Sequence, residues 1–144
     1  MTTFVSEISV QEGNKVAVRR LFEELGKGNF AILDELVAED YEQHSILGVP
    51  QGRAGMRSFF QAFATSFPDL RIEVQQIASE GDRVFLRAIA SGTWRGEWMG
   101  RAPNGKRFEI SEFDEFRMKD GMMVAHWDAL DTGKMARDLG LQPP

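Results

Sequence analysis

The stretch DGMMVAHWDALDTG, which runs from Asp120 to Gly133, decides the fold of this chain. The Asp-Gly pair at its start favours a tight hairpin turn, and the apolar segment after the turn is typical of a strand. Residues two apart on a strand share a face, so each face of this strand is predicted to carry every second side chain, polar and apolar alike. One face carries Val124, His126, Asp128 and Leu130. The opposite face carries Met123, Ala125, Trp127 and Ala129.

The segment before the turn is predicted to be the partner strand, over 108–118. If the hairpin centres on the turn from Lys119 to Gly121, Asp114 lies opposite Asp128. The shared face then carries four titratable side chains, which are Glu112, Asp114, His126 and Asp128. Their apolar neighbours on that face are Ile110, Phe116, Val124 and Leu130. Because an unpaired buried charge is costly, such groups find partners or shift their pKa values.

This cluster suggests acid–base chemistry. Two carboxylates that face each other in an apolar surround do not both ionise easily, so one should keep a proton near neutral pH. A group in that state can take and return a proton, and His126 could share or orient it. The alternative is that these carboxylates are solvated or paired with lysine and arginine, as acidic residues on strands often are.

The rest of the chain predicts three helices followed by four antiparallel strands. Ser9 and Glu12 fit a capping box at the start of the first helix. A short second helix is expected over 32–37, an extended segment or loop over 39–52, and a third helix around Phe60. The strands are expected near 70–75, 84–94 with a continuation towards Trp98, 108–118 and 122–130, before a short helix capped by Asp131. This order predicts an α+β domain over residues 1–144, with helices covering a curved sheet around a pocket.

Composition narrows the class of protein. The formal net charge is −5 and the charges are interspersed, which argues against nucleic-acid binding. The chain has no cysteine, no apolar run long enough to span a membrane, and no basic region followed by an apolar run at its start. A cytoplasmic location is the default expectation. No phosphate-binding loop, dinucleotide fingerprint or metal-ligand spacing is present, so neither a metal nor a cofactor is expected.

Four segments together resemble the SnoaL-like polyketide cyclase family of the NTF2-like superfamily. They are NKVAVRRLFEELGKGNFAILDELVAEDY, FPDLRIEVQQIASEGDRV, GTWRGEWMGRAPNGKRFEI and FRMKDGMMVAHWDALDTGKMARDLG. The resemblance implies an α+β cone in which helices close over a bent antiparallel sheet around a deep pocket. It also implies a cofactor-independent enzyme with a small hydrophobic substrate.

The resemblance assigns roles to individual residues. The family acid/base for an intramolecular aldol condensation lies seven residues after the hairpin glycine, which is Asp128 here. The family partner is a histidine seven residues before that glycine, where this chain has Asp114. Either His126 takes the partner role or the chemistry differs. A pocket amide follows a tyrosine at the end of the second helix, so Gln43 or His44 would fill that place. Further substrate contacts are expected from Glu112, Trp98, Phe116 and Phe60.

Other functions stay open at this point. The superfamily resemblance also allows an epoxide hydrolase or a ketosteroid-isomerase-like enzyme, for which an Asp–Asp pair is suited. A non-catalytic small-molecule-binding module is the third possibility, favoured if phenylalanine and methionine side chains fill the pocket. Trp127, Phe113 and Met123 on the outer face of the sheet predict a homodimer through that face, as the family suggests.

Overall fold

A computed structural model describes residues 4–141 of the chain as helices packed on one five-stranded sheet. The helices are α1 (Phe4–Gly26), α2 (Ile32–Leu36), α3 (Gly52–Ser66) and α4 (Thr132–Asp138). The strands are β1 (Val37–His44), β2 (Arg71–Glu80), β3 (Arg83–Thr93), β4 (Arg107–Lys119) and β5 (Met122–Leu130). The spatial order is β1-β5-β4-β3-β2, and all neighbours are antiparallel except β1 and β5.

The β4–β5 hairpin forms as the sequence predicts. Asp120 and Gly121 both have positive φ angles, of 51° and 78°, which two-residue hairpin turns of the primed type require. Asp114 pairs with Asp128 across the hairpin, so the predicted register is confirmed. Alternate residues of β4 are buried, which places one face of the strand in the interior.

A β-bulge corrects one prediction about β5. Arg117 pairs with Ala125 and Met118 pairs with Met123, so Val124 is an extra residue without a partner on β4. A bulge reverses the alternation of side chains beyond it. Met123 is therefore fully buried in the core, and the prediction that it lies on the outer face is wrong.

The prediction of four strands is also wrong, because β1 adds a fifth. The second helix ends at Leu36, and the chain becomes extended at Val37 and pairs in parallel with β5. Tyr41 therefore lies within a strand and not at the end of a helix. Tyr41 and Gln43 are both buried, so they lie on the inner side of the sheet with the titratable side chains of β4 and β5.

Two helix termini test the capping predictions. The first helix begins at Phe4, so Ser9 lies within it and the predicted capping box is wrong. Asp131 does cap α4, because its side chain accepts a hydrogen bond from the Lys134 backbone N–H at 3.0 Å. Strand β3 ends at Thr93, short of the predicted continuation towards Trp98.

The core consists of two apolar clusters under the helices. The first joins α1 and α2 to the inner face of the sheet around Leu21 and Phe116. The second surrounds Phe67, Trp94 and Phe108 near the start of β4. The cavity described below is lined by members of both clusters. Within residues 4–141, no helix has the length and apolar character needed to cross a membrane.

Candidate active site

The inner face of the sheet and helix α3 enclose an apolar cavity. Its volume is about 70 Å³, whereas one water molecule needs roughly 10–15 Å³, so there is room for several waters. Six phenylalanines dominate its wall: Phe22, Phe59, Phe60, Phe63, Phe108 and Phe116. Titratable and amide side chains from neighbouring strands also line it: Gln43, Glu112, Asp114, His126 and Asp128. Among the residues described, no lysine or arginine lines this cavity.

His126 is held through both ring nitrogens. Its Nε2 lies 2.6 Å from Oδ1 of Asp114, and its Nδ1 lies 2.7 Å from Oε1 of Gln43. The Phe116 ring stacks on the imidazole with a centroid separation of 4.5 Å. These three contacts fix both the position and the plane of the ring. Phe116 reaches His126 because the two residues are paired across the hairpin.

Burial shifts both members of the His126–Asp114 pair towards their uncharged forms. His126 and Asp114 are each only 7% exposed. Burial raises the pKa of the Asp114 carboxyl to about 7, and repulsion from Asp128 acts in the same direction. Burial lowers the pKa of His126 to about 4. Both shifts favour a protonated Asp114 beside a neutral imidazole, so the pair holds one proton that it can lend.

Glu112 is a second buried carboxyl on the same face of β4. It is 5% exposed, and its side chain lies within hydrogen-bonding reach of Asp114. Burial, followed by the charge of Asp114, raises the pKa of Glu112 well above its ordinary value. A carboxylic acid held neutral in an apolar site is able to donate a hydrogen bond at neutral pH.

Asp128 occupies the edge of this cluster. It is half-buried, and its Oδ1 accepts a hydrogen bond of 3.0 Å from the Ile46 backbone N–H. One donor atom each from Asp114, His126 and Asp128 lies within 4.8 Å of the others, a spacing that a divalent cation could bridge. Such a cation would have to displace the proton that His126 and Asp114 share. Oδ2 of Asp114 is buried without a hydrogen-bond partner among the described residues.

The structure brings most of the predicted site residues together. Those that line the cavity are Asp114, Asp128, His126, Glu112, Gln43, Phe60 and Phe116. Two expected contacts are not there. His44 is exposed and stacks on Trp127 on the outer face, because successive strand residues point to opposite sides and Gln43 takes the inner one. Trp98 packs against Phe67 and Trp94 away from the cavity, since β3 has already ended.

The sequence analysis missed the contribution of the segment between β1 and α3. Ser45, Leu47 and Val49 line the cavity, and Gln51 binds the backbone of Gln43. Tyr41 was also missed; its ring lies parallel to His126 at 6.4 Å. Tyr41 and Gln43 are buried and alternate with the exposed Glu42 and His44, which is the burial pattern of a strand.

Comparison with known proteins now decides the family. The family model for the SnoaL-like polyketide cyclase matches residues 15–139. The chain belongs to the SnoaL-like polyketide cyclase family. The predicted family and its α+β cone are therefore confirmed. A comparison with curated protein sequences gives no match.

Solved structures support this SnoaL-like assignment. IdmH from Streptomyces antibioticus, to which a polyketide cyclase function is attributed, is 32% identical with a TM-score of 0.79, over 88% of this chain and 98% of IdmH. TsrD from Streptomyces laurentii is 26% identical with a TM-score of 0.82, over 91% and 97%. AclR from Streptomyces galilaeus, to which a hydroxylase function is attributed, is 27% identical with a TM-score of 0.81, over 93% and 85%.

This SnoaL-like chain departs from the expected pattern at Asp114, which contacts a histidine on the neighbouring strand. The family resemblance calls for a histidine at this position, and the chain has an aspartate there. The imidazole of His126, on the neighbouring strand, reaches Asp114 at 2.6 Å. An imidazole therefore lines the same cavity as Asp128, and both residues belong to β5.

Proposed function

We propose that this protein catalyses a cofactor-independent intramolecular aldol condensation of a neutral, hydrophobic, polyketide-like substrate. The observation that carries the proposal is the placement of Asp128 beside the His126–Asp114 pair in an apolar cavity. The absence of any lysine or arginine from the described lining favours an uncharged substrate, because a bound anion would meet three carboxyls and no cationic side chain of that kind.

In the proposed reaction, Asp128 removes a proton from a carbon flanked by carbonyls. The enolate carbon then attacks a second carbonyl of the same molecule, and a carbon–carbon bond forms as that carbonyl becomes an alkoxide. Asp128 returns the proton to the alkoxide oxygen, so the product is an isomer of the substrate. The cavity contributes by holding a flexible chain in a reactive geometry.

Glu112 is the proposed hydrogen-bond donor to the enolate. Burial raises its pKa well above the ordinary value, so Glu112 carries a proton when Asp128 acts as base. A neutral acid placed where negative charge develops stabilises the transition state more than the ground state. The His126 imidazole holds the Asp114 proton in place through its Nε2.

The first half of this reaction can be tested without the natural substrate. We expect the protein to accelerate deuterium exchange at the acidic benzylic carbon of 2-tetralone, a neutral bicyclic ketone, followed by proton NMR in D₂O. Asp128→Asn keeps the acceptor for Ile46 N–H but removes the base, and should slow the catalysed exchange by about 10²–10⁴-fold. Asp131→Asn, at the cap of α4, should leave exchange unchanged. Equal rates for Asp128→Asn and wild type would reject Asp128 as the base.

A non-catalytic binding module is the second candidate, and the narrowness of the cavity favours it. A volume of about 70 Å³ is below the roughly 300 Å³ at the lower end of ordinary ligand pockets, so a fused-ring ligand enters only if wall side chains move. This candidate predicts binding of 2-tetralone with an exchange rate equal to that of buffer.

Similarity to AclR makes a hydroxylase the third candidate. Product analysis by mass spectrometry separates these enzymes, since a cyclase or an isomerase returns an isomer whereas a hydroxylase product has gained an oxygen atom.

We also propose that two copies associate through the outer face of the sheet. Phe113 and Phe85 are 54% and 44% exposed there, and Trp127 lies between them and β1. Exposed aromatic side chains grouped on one face are typical of a protein interface. The cytoplasmic location expected from the sequence stays a prediction.

A further inference from the structure

We propose that Gln51 is a positioning residue for the acid–base pair, acting through Gln43 on the tautomer of His126. The link to catalysis rests on the proposed function, whereas the link to the tautomer does not. Gln51 itself lies outside the cavity wall and is exposed, so it is not a catalytic residue.

The first step is the clamp between Gln51 and strand β1. The Gln43 backbone N–H donates to Oε1 of Gln51 at 2.8 Å, and Nε2 of Gln51 donates to the Gln43 carbonyl at 2.6 Å. Strand β1 is an edge strand with β5 as its one neighbour in the described sheet. The Gln51 amide thus makes the paired hydrogen bonds that a further strand would make, and it fixes the backbone that carries the Gln43 side chain.

The second step is the contact between Gln43 and His126. Oε1 of Gln43 lies 2.7 Å from Nδ1 of the imidazole. An amide oxygen only accepts hydrogen bonds, so Nδ1 carries the ring proton. Nε2 is then a lone pair 2.6 Å from Oδ1 of Asp114, and the hydrogen between these atoms belongs to the carboxyl.

Burial favours this arrangement over the reversed one. If the amide were turned so that its nitrogen faced Nδ1, the imidazole would donate from Nε2 to an ionised Asp114. That charge would be buried beside Glu112 and Asp128 with no cation lining the cavity among the described residues. The neutral arrangement avoids this cost, so the orientation of the Gln43 amide determines which of the two partners carries the proton.

The consequence is a chain of control from the surface to the site. Gln51 holds Gln43, Gln43 holds the proton on Nδ1, and the free Nε2 holds the acid proton on Asp114. If Gln51 is replaced by leucine, the Gln43 backbone loses both hydrogen bonds to Gln51 and its side chain is no longer held in one orientation. The Nε2–H tautomer of His126 then becomes populated. Since Gln51 is exposed, this replacement leaves the apolar core intact.

The test measures the tautomer directly by NMR on protein labelled with ¹⁵N-histidine. The chain has two histidines, and the exposed His44 serves as an internal reference that His44→Asn identifies. In wild type at about pH 5.5, between the pKa of about 4 for His126 and the pKa of about 7 for Asp114, we expect a single Nδ1–H form for His126. In Gln51→Leu we expect its two ring nitrogen shifts to move towards each other as the Nε2–H form appears. Gln75→Leu is the matched control, because Gln75 also donates to a backbone carbonyl but lies on β2 away from the site.

Several outcomes would overturn the proposal. An Nε2–H form in wild type rejects it without any variant. Identical His126 spectra for Gln51→Leu and wild type reject the clamp. Gln43→Leu removes the acceptor of the Nδ1 proton itself, and it should also populate the Nε2–H form. For catalysis, Gln51→Leu should lower the rate of 2-tetralone exchange by about 10-fold and alter its pH profile, as loss of an outer positioning contact does. If the tautomer changes as expected but wild type shows no exchange, the proposed function fails and the positioning role stands.

Discussion

At the scale of single residues, the buried acids and the buried histidine make opposite contributions to stability as pH changes. Asp114 has a pKa of about 7 in the fold against 3.8 ordinarily, so above about pH 4 the folded state holds a proton that the unfolded state has lost. Stability therefore falls as pH rises towards 7, and Glu112 acts in the same direction. His126, with its pKa lowered to about 4 from 6.5, contributes stability that is lost as pH falls through that range.

Above the ordinary pKa of histidine, His126 no longer changes the stability with pH, so the buried carboxyls alone determine its slope. This gives a prediction for Glu112. Between about pH 6.5 and 8.5 the contribution of Asp114 fades as the pH passes its pKa of about 7, so the remaining loss of stability comes from Glu112. While Glu112 keeps its proton in the fold, that loss approaches about 1.4 kcal/mol per pH unit, the value of one proton taken up on folding. Glu112→Gln removes one of the two carboxyls and should make the loss less steep. Urea unfolding midpoints at both pH values measure the slope. Glu109→Gln, on the exposed face of β4, is the control. Equal slopes for Glu112→Gln and wild type would mean that Glu112 is already ionised in the fold.

Individual residues also show where inference from sequence is secure. The pairing of Asp114 with Asp128 could be predicted because it depends only on a two-residue turn and on counting outwards from it. The choice between Gln43 and His44 could not, because it required knowledge that Tyr41 and its neighbours form a strand. Once that is known, the burial of Gln43 places His44 outside.

At the scale of elements, helix α3 forms the part of the cavity wall made of phenylalanine. Phe59 packs edge-on against Phe60 at 5.4 Å and stacks on Phe63 at 5.6 Å. All three rings are half-buried and face the cavity. They account for much of the difference between the cavity of about 70 Å³ and the space that a fused-ring substrate needs.

Shortening one of these rings should therefore improve binding of a large ligand. We expect Phe60→Ala to bind 2-naphthol more tightly than wild type, measured by naphthol fluorescence, because the ligand replaces the missing ring. The variant should also be less stable by about 1–3 kcal/mol, less than the roughly 3–5 kcal/mol for a fully buried phenylalanine. Phe85→Ala, on the outer face of the sheet, should leave naphthol affinity unchanged. Weaker binding in Phe60→Ala would show that the ring is a ligand contact and not an obstacle.

Two features of the strands could not be predicted, for physical reasons. Strand β1 pairs with β5, about 80 residues later in the chain, and such non-local pairing leaves no turn signal between the partners. The bulge at Val124 has no glycine or proline beside it, so nothing in the local sequence marks the extra residue. By contrast, the buried face of β4 could be predicted from the spacing of Phe108, Ile110, Phe116 and Met118, which places Glu112 and Asp114 on the same face.

At the scale of the whole molecule, the sheet has two faces with different tasks. The inner face carries the cavity and both apolar clusters. The outer face carries Phe113 and Phe85, together with a Trp127 ring that lies between His44 at 4.9 Å and the Arg83 guanidinium at 5.1 Å. The predicted outer patch thus keeps its aromatic members and loses only Met123, so the expectation of a homodimer through this face rests on two phenylalanines and a tryptophan.

A single charge on this face should separate the two copies. At micromolar concentration we expect wild type to elute with a light-scattering mass of twice the 16.2 kDa of one chain. Phe113→Asp should give the mass of one chain, because a symmetric interface would place two buried carboxylates close together. Val16→Asp, an equally exposed apolar position on α1, should remain a dimer. If wild type is already a monomer, the outer patch is not a dimer interface. If Phe113→Asp stays dimeric while wild type is a dimer, association uses another surface, and α1 with its exposed Val10 and Val16 becomes the surface to test.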